Sequence, residues 1–357
     1  MIIRKPNRVA ILLPSLKFGG AERVALNLAK ALQEEGVEIH FLLMSSEGEY
    51  LAEADRHFRV VNLSCNRTYK LPGKLLAYLL GNRPDALISS FWKLNLCACL
   101  ARMFYPELRL LLWEHSQPSK SKNSPAWLYA ISASLFYQLS TKVVAVSTGV
   151  SKDIQRITVG LRRKLVVILN PIVPPAERLL SQHERSTQKQ VIWVGRLDIR
   201  KNPSLMIEAF SLIFSTCDAR LVFVGDGQMR SELEQKCKAF GLDERVSFLG
   251  YMKNPYEVMV TSDLLVLTSD REGLGNVIIE AMFCGLRVVS TDCGEGIHDI
   301  LLDGQYGTIV PVGNKVTMAR AIECELREPH DTKQQIFGAQ RFLPSVIAQE
   351  FLAVLRG

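Results

Sequence analysis

Residues 268–285 read TSDREGLGNVIIEAMFCG and hold two carboxylates, Glu272 and Glu280, as Glu-x7-Glu with Gly273 and Gly275 between them. An apolar run at 264–267 lies just upstream and predicts a buried parallel strand. From Asn276 the apolar positions Val277, Ile278, Ala281 and Met282 predict a helix. The unit is therefore a strand, a glycine-bearing turn and a helix N-terminus. N–H groups at such a terminus lack intrahelical partners and carry partial positive charge, which suits a phosphate. Glu272 falls in the turn and Glu280 about two turns into the helix, so one carboxylate can face the sugar end of a ligand and the other a ribose. That chemistry is recognition of a nucleotide-sugar.

Three further constellations follow strands. Gly195-Arg196-Leu197-Asp198-Ile199-Arg200-Lys201-Asn202-Pro203 follows a strand at 191–194 and precedes a helix that Pro203 can open. Arg196 and Lys201 are two cations able to neutralise a diphosphate and stabilise it as a leaving group; beside the Glu-x7-Glu unit they are more than a solvated basic loop. Pro14-Ser15-Leu16-Lys17-Phe18-Gly19-Gly20-Ala21-Glu22-Arg23 repeats the strand, glycine turn, helix order, and reads equally as close approach to a ligand or as a tight turn. It lacks the G-x-G-x-x-G spacing of a dinucleotide site. Trp113-Glu114-His115-Ser116 places His115 where it can bond a sugar hydroxyl or act as a base. Weaker signals are Gly225-Asp226-Gly227, a nucleotide-lining turn or a simple one, and Gly250-Tyr251-Met252-Lys253, where backbone groups can read a base. The basic aromatic run 66–74, with Arg67, Lys70 and Lys74, suits lipid headgroups or is a solvated surface. The loop 119–124 closes over an acceptor or is ordinary. His298-Asp299 carries no assigned role.

The elements that position these residues alternate throughout. Strands are expected at 9–13, 38–43, 86–89, 110–113, 142–146 and 165–169, then at 191–194, 221–224, 246–249, 264–267, 287–290 and 308–310, with helices between them. The helix 21–34 carries an apolar stripe and ends at Gly36. A helical tail is expected at 334–355. The run Asn170-Pro171-Ile172-Val173-Pro174-Pro175 and the polar stretch after it mark a linker at 171–189, between a first domain at 1–170 and a second at 190–357, whose C-terminal helix can pack back on the first. Each is a doubly wound α/β domain, the two facing across a cleft, with ligands outside the carboxyl ends of the strands.

Composition bounds the class. With 357 residues, 48% hydrophobic and 22% charged, the chain is globular and large enough for two domains. No apolar run reaches the length of a spanning helix. Eight cysteines without a C-x-x-C pair point to neither a zinc ribbon nor a redox motif, and to a reducing cytoplasm. Residues 1–172 carry 23 Lys+Arg against 12 Asp+Glu, a net of +11, and the remainder carries 20 against 24, a net of −4. A basic first half suggests an anionic partner such as a membrane surface; nucleic acid fits less well, because no binding motif accompanies the charge.

Together the Gly19-Gly20-Ala21-Glu22-Arg23 opening, the Asn170-Pro171 junction, Gly195-Arg196 with Lys201, and Glu272-x7-Glu280 before Ala281-Met282 and Cys284-Gly285 resemble the retaining GT-B glycosyltransferases of family four, over essentially the whole chain. The resemblance implies a second domain that binds the nucleotide-sugar and a first domain that binds the acceptor. It implies that Arg196 and Lys201 hold the diphosphate, Glu280 the ribose and Glu272 the transferred sugar, with backbone at Leu274, Gly275, Asn276 and Val277 on phosphate or sugar. Gly19 would lie near the donor phosphate, Gly225 and Met252 along the nucleotide, and His115 near the donor sugar. Gly20, Glu22 and His115 are the acceptor candidates. The catalytic set is Glu272, His115, Arg196 and Lys201, with no cofactor and no obligate metal. Leu274 departs from the pattern, where an aromatic residue is common, and so does the segment 292–298, where many members carry Gly-Gly and then Pro-Glu.

The expected protein is thus a cytoplasmic glycosyltransferase, hexosyl or N-acetylhexosaminyl, peripheral on the inner face of a membrane. It would move sugar from a nucleotide-sugar, UDP preferred, to a lipid-linked glycan acceptor in surface-polysaccharide assembly. Two rivals share the fold: a non-catalytic nucleotide- or sugar-binding subunit, and a sugar-nucleotide epimerase. A dehydrogenase is disfavoured by the missing fingerprint.

Overall fold

A computed structural model describes residues 5–17, 19–121, 125–177, 179 and 188–356. Phe18 of the glycine turn, 122–124 of the loop after His115, and 180–187 of the linker lie outside them. The chain divides into two compact units, Met1–Ile172 with Phe342–Gly357, and Val173–Arg341.

The first unit holds a parallel sheet of seven strands in the order β3-β2-β1-β4-β5-β6-β7. The strands are β1 (Arg8–Leu13), β2 (Glu38–Leu43), β3 (Arg59–Asn62), β4 (Ala86–Ser90), β5 (Arg109–Glu114), β6 (Lys142–Ala145) and β7 (Leu165–Val167). β1 pairs with β2 on one side and β4 on the other, Ile11 lying opposite Phe41 and Ile88. Its helices are α1 (Gly20–Glu34), α2 (Leu51–His57), α3 (Leu71–Asn82), α4 (Trp92–Arg102), α5 (Ala126–Phe136) and α6 (Thr148–Ile157). The stripe of α1 is buried as its period requires: Val24, Ala25, Leu28, Ala31 and Leu32.

The second unit holds six parallel strands in the order β10-β9-β8-β11-β12-β13. These are β8 (Lys189–Val194), β9 (Ala219–Val224), β10 (Val246–Phe248), β11 (Leu264–Leu267), β12 (Arg287–Thr291) and β13 (Thr308–Val310). Its helices are α7 (Pro203–Phe210), α8 (Arg230–Ala239), α9 (Tyr256–Met259), α10 (Asn276–Phe283), α11 (Glu295–Leu301), α12 (Lys315–Arg327) and α13 (Thr332–Ala339). The last helix, α14 (Pro344–Arg356), packs on α1 in the first unit.

Three features differ from the sequence reading. β3 was not expected: RVVN is a short, half-exposed edge strand without clean alternation. The tail expected at 334–355 is two helices, because Pro344 cannot continue α13 and opens α14 instead. The second unit begins at Val173 rather than 190, while Phe342–Gly357 group with the first, as expected of a C-terminal helix that packs back. Asn170 and Ile172 are buried, Ile172 N–H donating to Phe342 O at 2.9 Å, so this proline-bearing segment is packed rather than a free linker. Among the described residues no helix is long and apolar enough to cross a membrane.

Candidate active site

Both sheets reverse direction of growth once, between β1 and β4 in the first unit and between β8 and β11 in the second. At such a switch point the flanking loops diverge and leave a crevice at the strands' carboxyl ends. In the second unit those loops are 195–202 after β8 and 268–275 after β11. They carry Arg196, Lys201 and Glu272, which is why residues 71 positions apart meet.

Lys201 Nζ donates to Glu272 Oε1 at 2.5 Å, and Ser269 Oγ donates to the same oxygen at 2.7 Å. The Lys201 and Glu272 side chains are 17% and 10% exposed. Among the described residues Glu272 Oε2 makes no hydrogen bond, so it is the oxygen open to a ligand. The pair is held from below. Trp193 Nε1, from the core of β8, donates to Thr268 Oγ1 at 2.9 Å, and Thr268 Oγ1 donates to Lys201 O at 3.0 Å. Asn202, with φ 47° and ψ 54°, caps α7 by accepting from Leu205 N–H, and its Nδ2 donates to Asp270 Oδ1 at 3.0 Å. Asp270 N–H donates to Arg200 O at 2.9 Å, and Asp198 Oδ1 accepts from Lys201 N–H at 3.0 Å. The two loops are thus stitched by backbone and side chain, and Lys201 has little freedom. Arg196 differs: its carbonyl accepts from Asp198 N–H at 2.8 Å, but its side chain is exposed and makes no hydrogen bond or ion pair among the described residues.

The glycines sort by cause. Gly225 has φ 134°, and a Cβ there would lie 1.9 Å from Gly195 O; its N–H donates to Gly250 O at 2.7 Å. That glycine is required by close contact between the loops after β8, β9 and β10. Gly275, at φ 99° and ψ 51°, turns the chain into α10, and as the N-cap residue it has no side chain to cap that helix. Asn276 and Val277 lie in its first turn. Leu274 is turned inward and buried, so its side chain is closed to solvent. Glu280 is the fifth residue of α10, one turn in rather than two: the helix begins at Asn276, where the apolar pattern placed it, and four residues make about one turn. It is half-buried, and its charge adds to the burial that raises the Tyr256 phenol. Met252 is half-buried after Gly250. His298 bridges Asp303 at 2.8 Å and Asp292 at 3.1 Å, which raises its pKa and ties the turn before α11 to the turn after it.

In the first unit Gly19 is extended and Gly20 opens α1. The Glu22 carboxylate folds over Gly19, 2.1 Å from where a Cβ would stand, and burial raises its pKa. Arg23 is engaged elsewhere, bonded to Glu53 at 2.9 Å and stacked on Tyr50. His115 lies two strands away from Glu22, on the far side of β4. Its ring rests against Trp113 at 4.7 Å and Phe91 at 5.7 Å, with Nε2 3.4 Å from Ser90 Oγ. Burial holds its pKa well below the usual histidine range, so the imidazole is neutral at physiological pH.

Beneath it Glu114 is fully buried, accepting at Oε1 from Asn95 Nδ2 at 2.9 Å and from the Tyr137 hydroxyl. Burial pushes its carboxyl up to about 7, against the opposing pull of those bonds. The folded chain therefore holds a proton that the unfolded chain releases near 4.5. Stability from this group is full below that value and is lost as pH rises through about 7, a change on the order of 3 kcal/mol. Glu114→Gln is expected to flatten this slope. Melting temperatures across this range should show wild type losing ground to the variant as pH rises, and parallel curves would contradict the assignment.

Two comparisons decide the family. Residues 18–174 match the Glycosyltransferase Family 4 profile, and residues 188–328 match the profile described as Glycosyl transferases group 1. The chain belongs to the family four glycosyltransferases. Over 98% of its length this glycosyltransferase is 29% identical to a Campylobacter jejuni protein, all of which is covered, named N-acetylgalactosamine-N,N'-diacetylbacillosaminyl-diphospho-undecaprenol 4-alpha-N-acetylgalactosaminyltransferase. It is 28% identical to the Rhizobium meliloti lipopolysaccharide core biosynthesis glycosyltransferase LpsE, over 86% of this chain and 85% of that one. Anabaena HepE, solved with UDP and glucose, superposes with a TM-score of 0.81 at 22% identity, over 97% of this chain and 98% of that one. The glycosyltransferase has the GT-B fold, two Rossmann-like units.

Sequence reasoning missed the residues that hold this glycosyltransferase's ion pair, Trp193, Thr268, Ser269 and Asp270. Only Asn202 had a readable signal, as a helix-capping asparagine before Pro203. It also missed Phe91, which sits at φ 73° and ψ 134° at the end of β4, against His115. A non-glycine residue held in that region is strained, and no residue pattern announces it.

Proposed function

We propose that the glycosyltransferase transfers a sugar, with retention of anomeric configuration, from a nucleotide-sugar bound by the second unit to a lipid-linked glycan bound through the first. The observation that carries this reading is the Lys201–Glu272 pair at the β8/β11 switch point, in the loops that lead into α7 and α10. A diphosphate placed there meets Arg196, Lys201 and helix N–H groups, all of which stabilise the charge that grows on a leaving nucleotide. Glu280, one turn along α10, is the ribose partner, and Glu272 Oε2 takes a hydroxyl of the transferred sugar. Departure and attack occur on one face, with the leaving diphosphate accepting the acceptor's proton, and no metal is needed. A uridine nucleotide is favoured because Anabaena HepE, of the same fold, holds UDP. A lipid-linked acceptor is favoured because the two Campylobacter jejuni relatives are named for undecaprenol-linked acceptors, and it draws the enzyme to an anionic membrane.

The test is transfer from UDP-sugars to undecaprenol diphosphate-linked glycans in EDTA, with the product's anomeric configuration read by NMR. An α-linked product from an α-linked donor is expected. An inverted product, or a strict requirement for added metal, would overturn the mechanism.

A further inference from the structure

We propose that the outer face of α5 seats in the headgroup and upper acyl region of an anionic lipid bilayer. The helix reads AWLYAISASLF. Its inner face buries Tyr129 and Ala133, while Trp127, Leu128, Ile131 and Leu135 stand 65%, 41%, 62% and 65% exposed. Trp127, Ile131 and Leu135 recur every fourth residue, so they form one stripe. A helix that is apolar on every side belongs in a nonpolar medium on every side. At 11 residues it is about 16 Å long, roughly half a bilayer core, so it can lie in an interface and cannot span one.

Its two serines are spent on backbone. Ser132 Oγ donates to Leu128 O and Ser134 Oγ to Ala130 O, each at 2.6 Å, while Ser132 accepts from Trp92 Nε1 and Ser134 from Val159 N–H. The face therefore offers one polar group, the Trp127 indole N–H, and such an amphipathic ring suits a headgroup boundary. The charge around it selects an anionic surface. Residues 115–152 contain no Asp or Glu and carry Lys120, Lys122, Lys142 and Lys152. α5 packs against α4, α6 and the turn Pro118–Lys120, which present exposed Lys93, Lys152 and Lys120. The acid on α6, Asp153, is buried and bonded to Arg156 and Ser119. Apolar stripe and cationic rim together are what an interfacial helix needs. The basic run 66–74 contributes less than its composition suggests: Lys74 Nζ is bonded to Leu63 O and Ser64 O, leaving Arg67 and Lys70 exposed.

The experiment uses the full chain with vesicles of phosphatidylcholine and phosphatidylglycerol, some with brominated acyl chains. Trp113 and Trp193 are buried and Trp92 is half-buried, so Trp127 reports contact with lipid. Brominated chains should quench the emission, and Trp127→Phe should abolish the quenching while still sedimenting with vesicles. Ile131→Ser with Leu135→Ser should lower vesicle partitioning more than about tenfold at unchanged melting temperature. The same variant should keep transfer to a water-soluble acceptor, which separates this inference from the donor-site reading. Absence of wild-type sedimentation, sedimentation without quenching, or unchanged partitioning of the double variant would overturn it. So would loss of a solution dimer in the double variant with vesicle binding intact, which assigns the face to a second copy.

Discussion

Lys201→Ala is expected to lower transfer by on the order of a hundred- to a thousandfold and to weaken nucleotide binding at least about tenfold. Two effects combine. The diphosphate loses a cation whose position is fixed through Thr268, Asp198 and Asn202, so the electrostatic help costs no reorganisation during reaction. Glu272 also loses its counter-charge at a site only 10% exposed, which repels the phosphates and destabilises the loop by about 1–3 kcal/mol. Arg196→Ala is the control. Its side chain is exposed and makes no bond among the described residues, so it should weaken nucleotide binding at unchanged melting temperature. Equal thermal shifts in the two variants would contradict the different roles assigned to the two cations.

Glu272→Gln should separate binding from catalysis. The carboxylate accepts from Lys201 Nζ at 2.5 Å, so an incoming diphosphate must share or displace it. The amide keeps the shape and the Ser269 bond while removing the competing charge. Affinity for the free nucleoside diphosphate should therefore hold or rise, by up to about tenfold, while transfer falls about a hundredfold for want of the charge at the sugar end. Calorimetry on the diphosphate, paired with kcat, checks this. Parallel loss of both would mean that the pair serves as a structural platform and that Glu272 does not act on the sugar.

Much of this site is legible in the sequence because its chemistry is local. A glycine turn between a buried strand and a helix announces itself through period and composition, and β8 and β11 are apolar runs that leave few alternatives. Strand order is not local. Nothing in residues 189–194 or 264–267 states that these strands are neighbours, and that adjacency is what brings Lys201 to Glu272. The difference between Arg196 and Lys201 is hidden for the same reason, since Lys201 is locked in a network that spans both loops while the Arg196 side chain is exposed. A glycine after a strand, such as Gly225, fits two causes equally, and the Gly195 carbonyl beside it supplies one of them, close packing of the loops. The exposed stripe of α5 has the composition of a core helix, and exposure is a tertiary fact that composition inverts.

Calorimetric titration of UDP, GDP and ADP, each with its common sugar conjugates and with EDTA present, into wild type and Lys201→Ala tests the donor site most directly. Saturable binding of one nucleotide to wild type, lost in Lys201→Ala, is the predicted result. Absence of binding to wild type, or binding that Lys201→Ala leaves unchanged, would contradict the placement of the donor diphosphate between Arg196 and Lys201.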